Sequence, residues 1–113
     1  MLDPAFLEKI TIARYAKSLD DMSQAERDRR LLVLSEFAVY VERDPEFMVS
    51  EIFDEETRKY RKRGFYTEKA KAFAAEFDGP RNAQLWRSNV IRAFFSANGR
   101  RLLPEQPDWM RSP

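Results

Sequence analysis

Three prolines, each following a residue suited to a helix boundary, punctuate this chain: Asp3-Pro4, Asp44-Pro45 and Gly79-Pro80. An Asp just before a helix accepts from its first free backbone N–H groups. Proline at the first helical position gives up a donor that would have had no partner there. Ser23 and Glu26 add a fourth start with the spacing of a capping box, in which hydroxyl and carboxylate each take an orphan backbone donor. These boundaries predict an all-α fold of four to five helices with short connections. The helix content should exceed about 60%, well over the average for globular domains.

The apolar spacing between the boundaries predicts which face of each helix is buried. A first helix over about residues 4–20 would use Phe6, Leu7, Ile10, Ala13 and Leu19. A second, from Ser23 to about residue 43, would use Leu31, Leu34, Phe37, Ala38 and Val41. A short third helix carries Phe47, Met48, Ile52 and Phe53. The charged stretch 55–64 reads as one or two helical turns ending near Gly64, and Thr67-Glu68 open a helix through Ala70, Phe73, Ala74 and Phe77. Pro80 starts the last helix and Gly99 closes it with a left-handed residue after Asn98. Trp86, Val90, Ala93, Phe94 and Ala97 would form its core face, flanked by Ile91 and Phe95, so Trp86 is expected to be buried.

At 113 residues the chain suffices for one self-standing core, and 43% hydrophobic with 13% aromatic residues argue against global disorder. Residues 1–103 are expected to form that domain and the proline-containing 104–113 a linker. With neither cysteine nor histidine, disulfides, thiolate zinc sites and the commonest neutral-pH general base are excluded. No catalytic residues, metal site or cofactor are expected. No apolar run approaches the roughly 20 residues that span a bilayer, and no signal-peptide layout is present, so a cytoplasmic chain without a membrane partner is expected.

The net charge of +1 conceals a split. Residues 1–57 hold seven Lys/Arg against fourteen Asp/Glu, and residues 58–113 hold thirteen against five. The halves therefore carry −7 and +8, and the basic half could concentrate a polyanion. The bland alternatives are that the two halves attract each other or that the charges are solvated helix faces. Two basic groups stand out. Arg81, Gln84, Ser88 and Arg92, with Arg87 at the edge, recur at helical spacing opposite the aromatic stripe of the last helix. Arg61, Lys62 and Arg63, with Arg58, Lys59, Lys69 and Lys71 nearby, form a second cluster suited to phosphate contacts.

Two segments also carry a resemblance. After Ser23 the second helix places Leu34, Phe37 and Tyr40 at offsets of eleven, fourteen and seventeen. The last helix reads Trp86-Arg87-Ser88-Asn89-Val90-Ile91-Arg92-Ala93-Phe94-Phe95, followed by Asn98-Gly99 and Leu102-Leu103-Pro104. Over residues 8–104 the chain resembles the N-terminal core-binding domain of tyrosine recombinases, the phage integrase family, with Glu26 and Arg30 where that family often has Thr and Tyr. The resemblance implies a SAM-like helical domain that forms half of a clamp around duplex DNA, with other recombinase protomers as further partners. It also implies that catalysis belongs to a following domain, so Tyr15, Tyr40, Tyr60 and Tyr66 are not carried over as nucleophiles. The expected function is thus a DNA-binding module of a site-specific recombinase, without catalytic activity by itself. Its last helix would lie in the major groove, and Arg58 to Lys71 would follow the backbone. The alternative is a helical protein-interaction module with an acidic partner.

Overall fold

The computed structural model describes residues 2–104. Of these, 66% are helical, in six helices and one two-stranded hairpin: α1 (Pro4–Leu7), α2 (Ile10–Lys17), α3 (Gln24–Val41), α4 (Pro45–Ile52), β1 (Phe53–Asp54), β2 (Lys59–Tyr60), α5 (Arg63–Ala75) and α6 (Arg81–Ala97). The chain is all-α in class. The expected linker, apart from Pro104, lies outside the described residues.

All three Asp/Ser caps form as the sequence indicates. Asp3 accepts from the Ala5 N–H, Ser23 from Glu26 and Asp44 from Glu46, at 3.0, 3.2 and 2.8 Å. The capping box is altered on its other side, because the Glu26 carboxylate takes Arg29 and Arg30, at 2.9 and 3.1 Å. Asn98 caps α6, and Gly99 follows at φ +71°, as the sequence suggests.

The expected first helix is two, and the reason is tertiary. Lys9 is extended (ψ 138°) and sends its Nζ to Asp44, 2.6 Å away, while Glu46 of α4 accepts from both the N–H and the hydroxyl of Thr11. A carboxylate from another helix therefore caps α2. The break rotates the face that α2 buries: Thr11, Ile12 and Tyr15 go inside, whereas Leu7, Ile10 and Ala13 stay exposed.

Residues 53–60 correct a second expectation, since they form a hairpin instead of helical turns. Phe53 faces Tyr60 and Asp54 faces Lys59. Asp54 Oδ1 accepts from the N–H groups of Glu56 and Thr57, Arg58 takes the left-handed conformation (φ 56°), and the Phe53 and Tyr60 rings meet edge to face at 5.2 Å. A carboxylate that closes its own turn and a cross-strand aromatic pair outweigh helix propensity here. Lys62 (φ 57°) then redirects the chain into α5, which includes Gly64 in its first turn instead of ending there.

α6 packs against α2, α3 and α5, and the core gathers around it. Ile12, Tyr15, Leu34, Phe37, Met48, Ile52, Tyr66, Ile91, Phe94 and Phe95 have no exposed surface, each worth about 1.5–3 kcal/mol relative to exposure. Phe94 packs edge-on against both Tyr15 and Phe95. Buried Asn98 ties α2 to the end of α6, its amide donating to Thr11 O and Phe94 O at 3.1 and 3.0 Å.

One polar node fastens α4 to α5. Tyr66 donates to Glu51, whose carboxylate also receives Lys62 at 2.6 Å and Arg43 at 3.4 Å. Burial pushes the Tyr66 hydroxyl well above the ordinary tyrosine range, reinforced by its bond to Glu51. Burial also pushes the Glu51 carboxyl up, but hydrogen bonds from Lys62 and Tyr66 and the nearby Lys62 and Arg43 charges outweigh it and hold Glu51 below its ordinary value of 4.5. A carboxyl depressed in the folded state contributes stability above its unfolded value, and that contribution is lost as pH falls through the folded one. Acid unfolding should therefore steepen below about pH 4.5, and Glu51→Gln should flatten that limb of a stability–pH curve. Parallel curves for the two proteins would show that the node adds no pH-dependent stability.

Candidate nucleic-acid interface

The residues expected to form one polar face on α6 are not brought together on a free surface. Ser88 is buried at 3% exposure. The Gln84 amide donates to Phe77 O at 3.0 Å and lies 3.4 Å from Ala75 O, closing the α5–α6 turn. Arg87 spreads over the rings of Phe73 and Phe77, at 4.8 and 4.7 Å, with Nη2 3.8 Å from Glu36. Arg81 is exposed and Arg92 is half-buried. The correction follows from helix phase: Val90, Ile91, Phe94 and Phe95 point inward, which turns Ser88 and Arg87 toward neighbouring elements. It also leaves Ala93 exposed and Trp86 only half-buried, with Arg29 and Arg30 over its ring at 4.8 and 5.5 Å. The residues that α6 does expose are Arg81, Asn82, Leu85, Asn89, Ala93 and Ser96, with Arg81 at its start as the one charge among them.

The second predicted group does assemble, at the opposite end of α5. Residues 51–69 and 100–101 meet there, holding eight Lys/Arg against five Asp/Glu, a local net of +3. Arg63 Nε donates to Arg101 O at 2.9 Å, and its guanidinium stacks on Tyr60 at 4.4 Å. Arg100 covers Phe53 at 4.5 Å and reaches Glu55 at 3.3 Å. Thr67 Oγ1, 2.6 Å from Leu103 O, holds the segment after α6 against α5. Three cations surround half-exposed Phe65, with Arg43, Lys62 and Lys69 at 5.2, 5.5 and 5.5 Å from its ring. Exposed contacts of this kind contribute about 0.5–1 kcal/mol each.

Part of this charge is already spent inside the molecule. Lys62–Glu51, Arg61–Asp54, Arg100–Glu55 and Arg87–Glu36 all join the acidic half of the sequence to the basic half. Their attraction accounts for a share of the asymmetry that the sequence presents as binding potential. Among the described residues, Arg58, Lys59, Arg63 and Arg101 have no carboxylate partner. The neighbouring cleft of about 440 Å³ is lined by Glu51, Asp54, Glu55 and Glu56 as well as Arg61 and Lys62, so an anion would avoid it.

Arg43, Tyr60, Phe65, Arg100 and Arg101 were not singled out as contacts by sequence, because chain folding alone brings positions 43 and 100–101 to the 58–69 segment. The Arg100-Arg101 doublet after Gly99 is the one local signal that could have marked the last two. The described residues contain no cluster of potential metal ligands and no helix long and apolar enough to cross a membrane. No family model, curated protein or solved structure matches the chain.

Proposed function

We propose that this domain binds duplex DNA through its phosphates, as an accessory module of a larger protein of the tyrosine-recombinase type. The supporting observation is the group Arg58, Lys59, Arg63 and Arg101: four cations without acidic partners among the described residues, contributed by the hairpin, the start of α5 and the segment after α6. Left-handed Arg58 places one of them at the hairpin turn, and Arg63 joins two of the segments through Arg101 O. Such a patch neutralises phosphates and reads no sequence by itself. Lys69 lies alongside it, and Arg81 and Arg92 remain accessible on α6. Gln84, Arg87 and Ser88 serve the fold in this reading, so α6 is not the principal contact. The recombinase relationship rests on the motif resemblance around Ser23 and Trp86–Phe95.

Each phosphate neutralised releases counterions, giving a log K against log salt slope of about −0.9 per contact on duplex DNA. Four contacts predict a slope between about −3 and −4, with affinity in the micromolar range at low salt. Fluorescence anisotropy with a labelled duplex across a salt series is the test. Absence of binding at about 50 mM salt, or a slope near zero, would exclude phosphate-driven recognition. In that event the same cations would point to an acidic protein partner.

A further inference from the structure

Exposed aromatic rings stand among the cations of the basic surface, and phosphate neutralisation alone gives them no role. Tyr60 and Phe65 are 47% and 36% exposed there. Leu103, whose Cδ1 lies 3.6 Å from where a Cβ would stand on Gly64, is 45% exposed beside them. The hairpin holds its two rings in a row with a guanidinium at each end. Arg100 covers Phe53 at 4.5 Å, Phe53 meets Tyr60 edge to face at 5.2 Å, and Arg63 covers Tyr60 at 4.4 Å. Arg63 is fixed in turn by its Nε bond to Arg101 O, 2.9 Å long. Although Arg63 occupies one face of Tyr60, nearly half of that side chain stays open, so the row keeps free ring surface beside unpaired cations.

We propose that this surface takes DNA with unpaired nucleotides, stacking their bases on Tyr60 and Phe65 while the cations hold the adjoining phosphates. The inference rests on the reading that Arg58, Lys59, Arg63 and Arg101 neutralise phosphates. In an intact duplex the bases stack on one another, and a side chain outside the grooves meets only sugar and phosphate, so an exposed ring gains little there. An unpaired base offers its face to a ring, and its identity matters little because every base has such a face. Rings interleaved with cations are what single-strand binding needs, a ring for each base and a cation for the phosphate next to it. Around Phe65 that pairing is local. Arg43, Lys62 and Lys69 lie 5.2, 5.5 and 5.5 Å from its ring; Glu51 holds the first two, and Lys69 has no carboxylate partner among the described residues. Exposed rings elsewhere have different neighbours: Tyr40 and Phe77 border a cleft that also carries Glu36, Glu76 and Asp78, carboxylates that repel a nucleic-acid backbone.

Fluorescence anisotropy with labelled oligonucleotides tests this: an intact duplex, the same duplex with a gap of about four nucleotides in one strand, and an unstructured single strand of thymidines. One stacked base is worth about 5- to 150-fold in affinity. Gapped and single-stranded DNA should therefore bind at least about tenfold more tightly than the duplex at about 50 mM salt. Four phosphate contacts give a log K against log salt slope of about −2.8 on the single strand, against about −3.6 on the duplex. Tyr60→Leu and Phe65→Leu keep apolar bulk and remove the ring at exposed positions. Each should weaken single-strand binding at least about fivefold, leaving the salt slope and the duplex affinity unchanged. Tyr60→Phe, which keeps the ring, should bind as the parent does, and so should Tyr40→Leu, on the acidic cleft. If Tyr60→Leu lost duplex affinity equally and Phe65→Leu lost nothing, the Tyr60 ring would serve only to position Arg63, and the proposal would be overturned. Equal affinity for all the oligonucleotides would overturn it and leave phosphate binding standing. No binding to any of them would remove both readings, whereas binding to the single strand alone would support stacking and exclude duplex recognition.

Discussion

Phe94→Ala should destabilise the domain by about 3–5 kcal/mol, a loss that takes up most of the stability of a domain at the low end of the ordinary range. Phe94 has no exposed surface and lies where α6 meets α2, with Tyr15 and Phe95 packed edge-on against its ring. Truncation leaves a cavity between helices whose positions are fixed by other contacts, including the Asn98 bonds to Thr11 O and Phe94 O, so collapse around it is restricted. Trp86→Ala, by contrast, should cost only about 1–2 kcal/mol, since that ring is half-buried and much of its contact is with Arg29 and Arg30. Urea denaturation of the two variants gives the comparison. Equal costs, or a larger one at Trp86, would mean that the phase of α6 is wrong.

Replacing Arg58, Lys59, Arg63 and Arg101 together by Ala should abolish most of the DNA affinity and flatten the log–log salt slope by between about 3 and 4. Each loses one phosphate contact, and none has a carboxylate partner among the described residues whose charge would be left behind. The stability cost should be small, confined to the Arg63 bond to Arg101 O and its stacking on Tyr60. Arg87→Ala is the informative contrast. It removes a guanidinium that covers Phe73 and Phe77 and faces Glu36, so it should lower the melting temperature while leaving the salt slope unchanged. Anisotropy titrations beside thermal melts separate the two effects. A slope that falls with Arg87→Ala and not with the fourfold change would return the interface to α6.

The sequence by itself determined the class of fold and most of its boundaries. Capping is local: Asp3, Ser23 and Asp44 each satisfy a backbone donor two or three residues away, so their residue types sufficed to place the starts of α1, α3 and α4. Gly99 was legible for the same reason, because a left-handed position after a helix is a property of one residue. The core stripe of α3 followed from spacing alone. The basic 58–63 cluster was visible too, as composition.

Tertiary structure decided what depends on residues far apart in the chain. Glu46 caps α2, 35 residues distant, and that capping splits the first helix and rephases its buried face. The hairpin at 53–60 formed where local charge density suggested helix, because Asp54 closes its turn and Phe53 meets Tyr60. On α6 the sequence showed two candidate faces without showing how α5 would cover one of them, so Arg87 and Ser88, legible as an outer stripe, went inward. The split in charge was real, yet its meaning required distances: Lys62, Arg61 and Arg100 reach Glu51, Asp54 and Glu55, and only the cations beyond their reach are left to attract a phosphate. Local hydrogen-bonding need can be read from neighbouring residues, whereas burial and charge neutralisation depend on which distant groups the fold brings within a few ångströms.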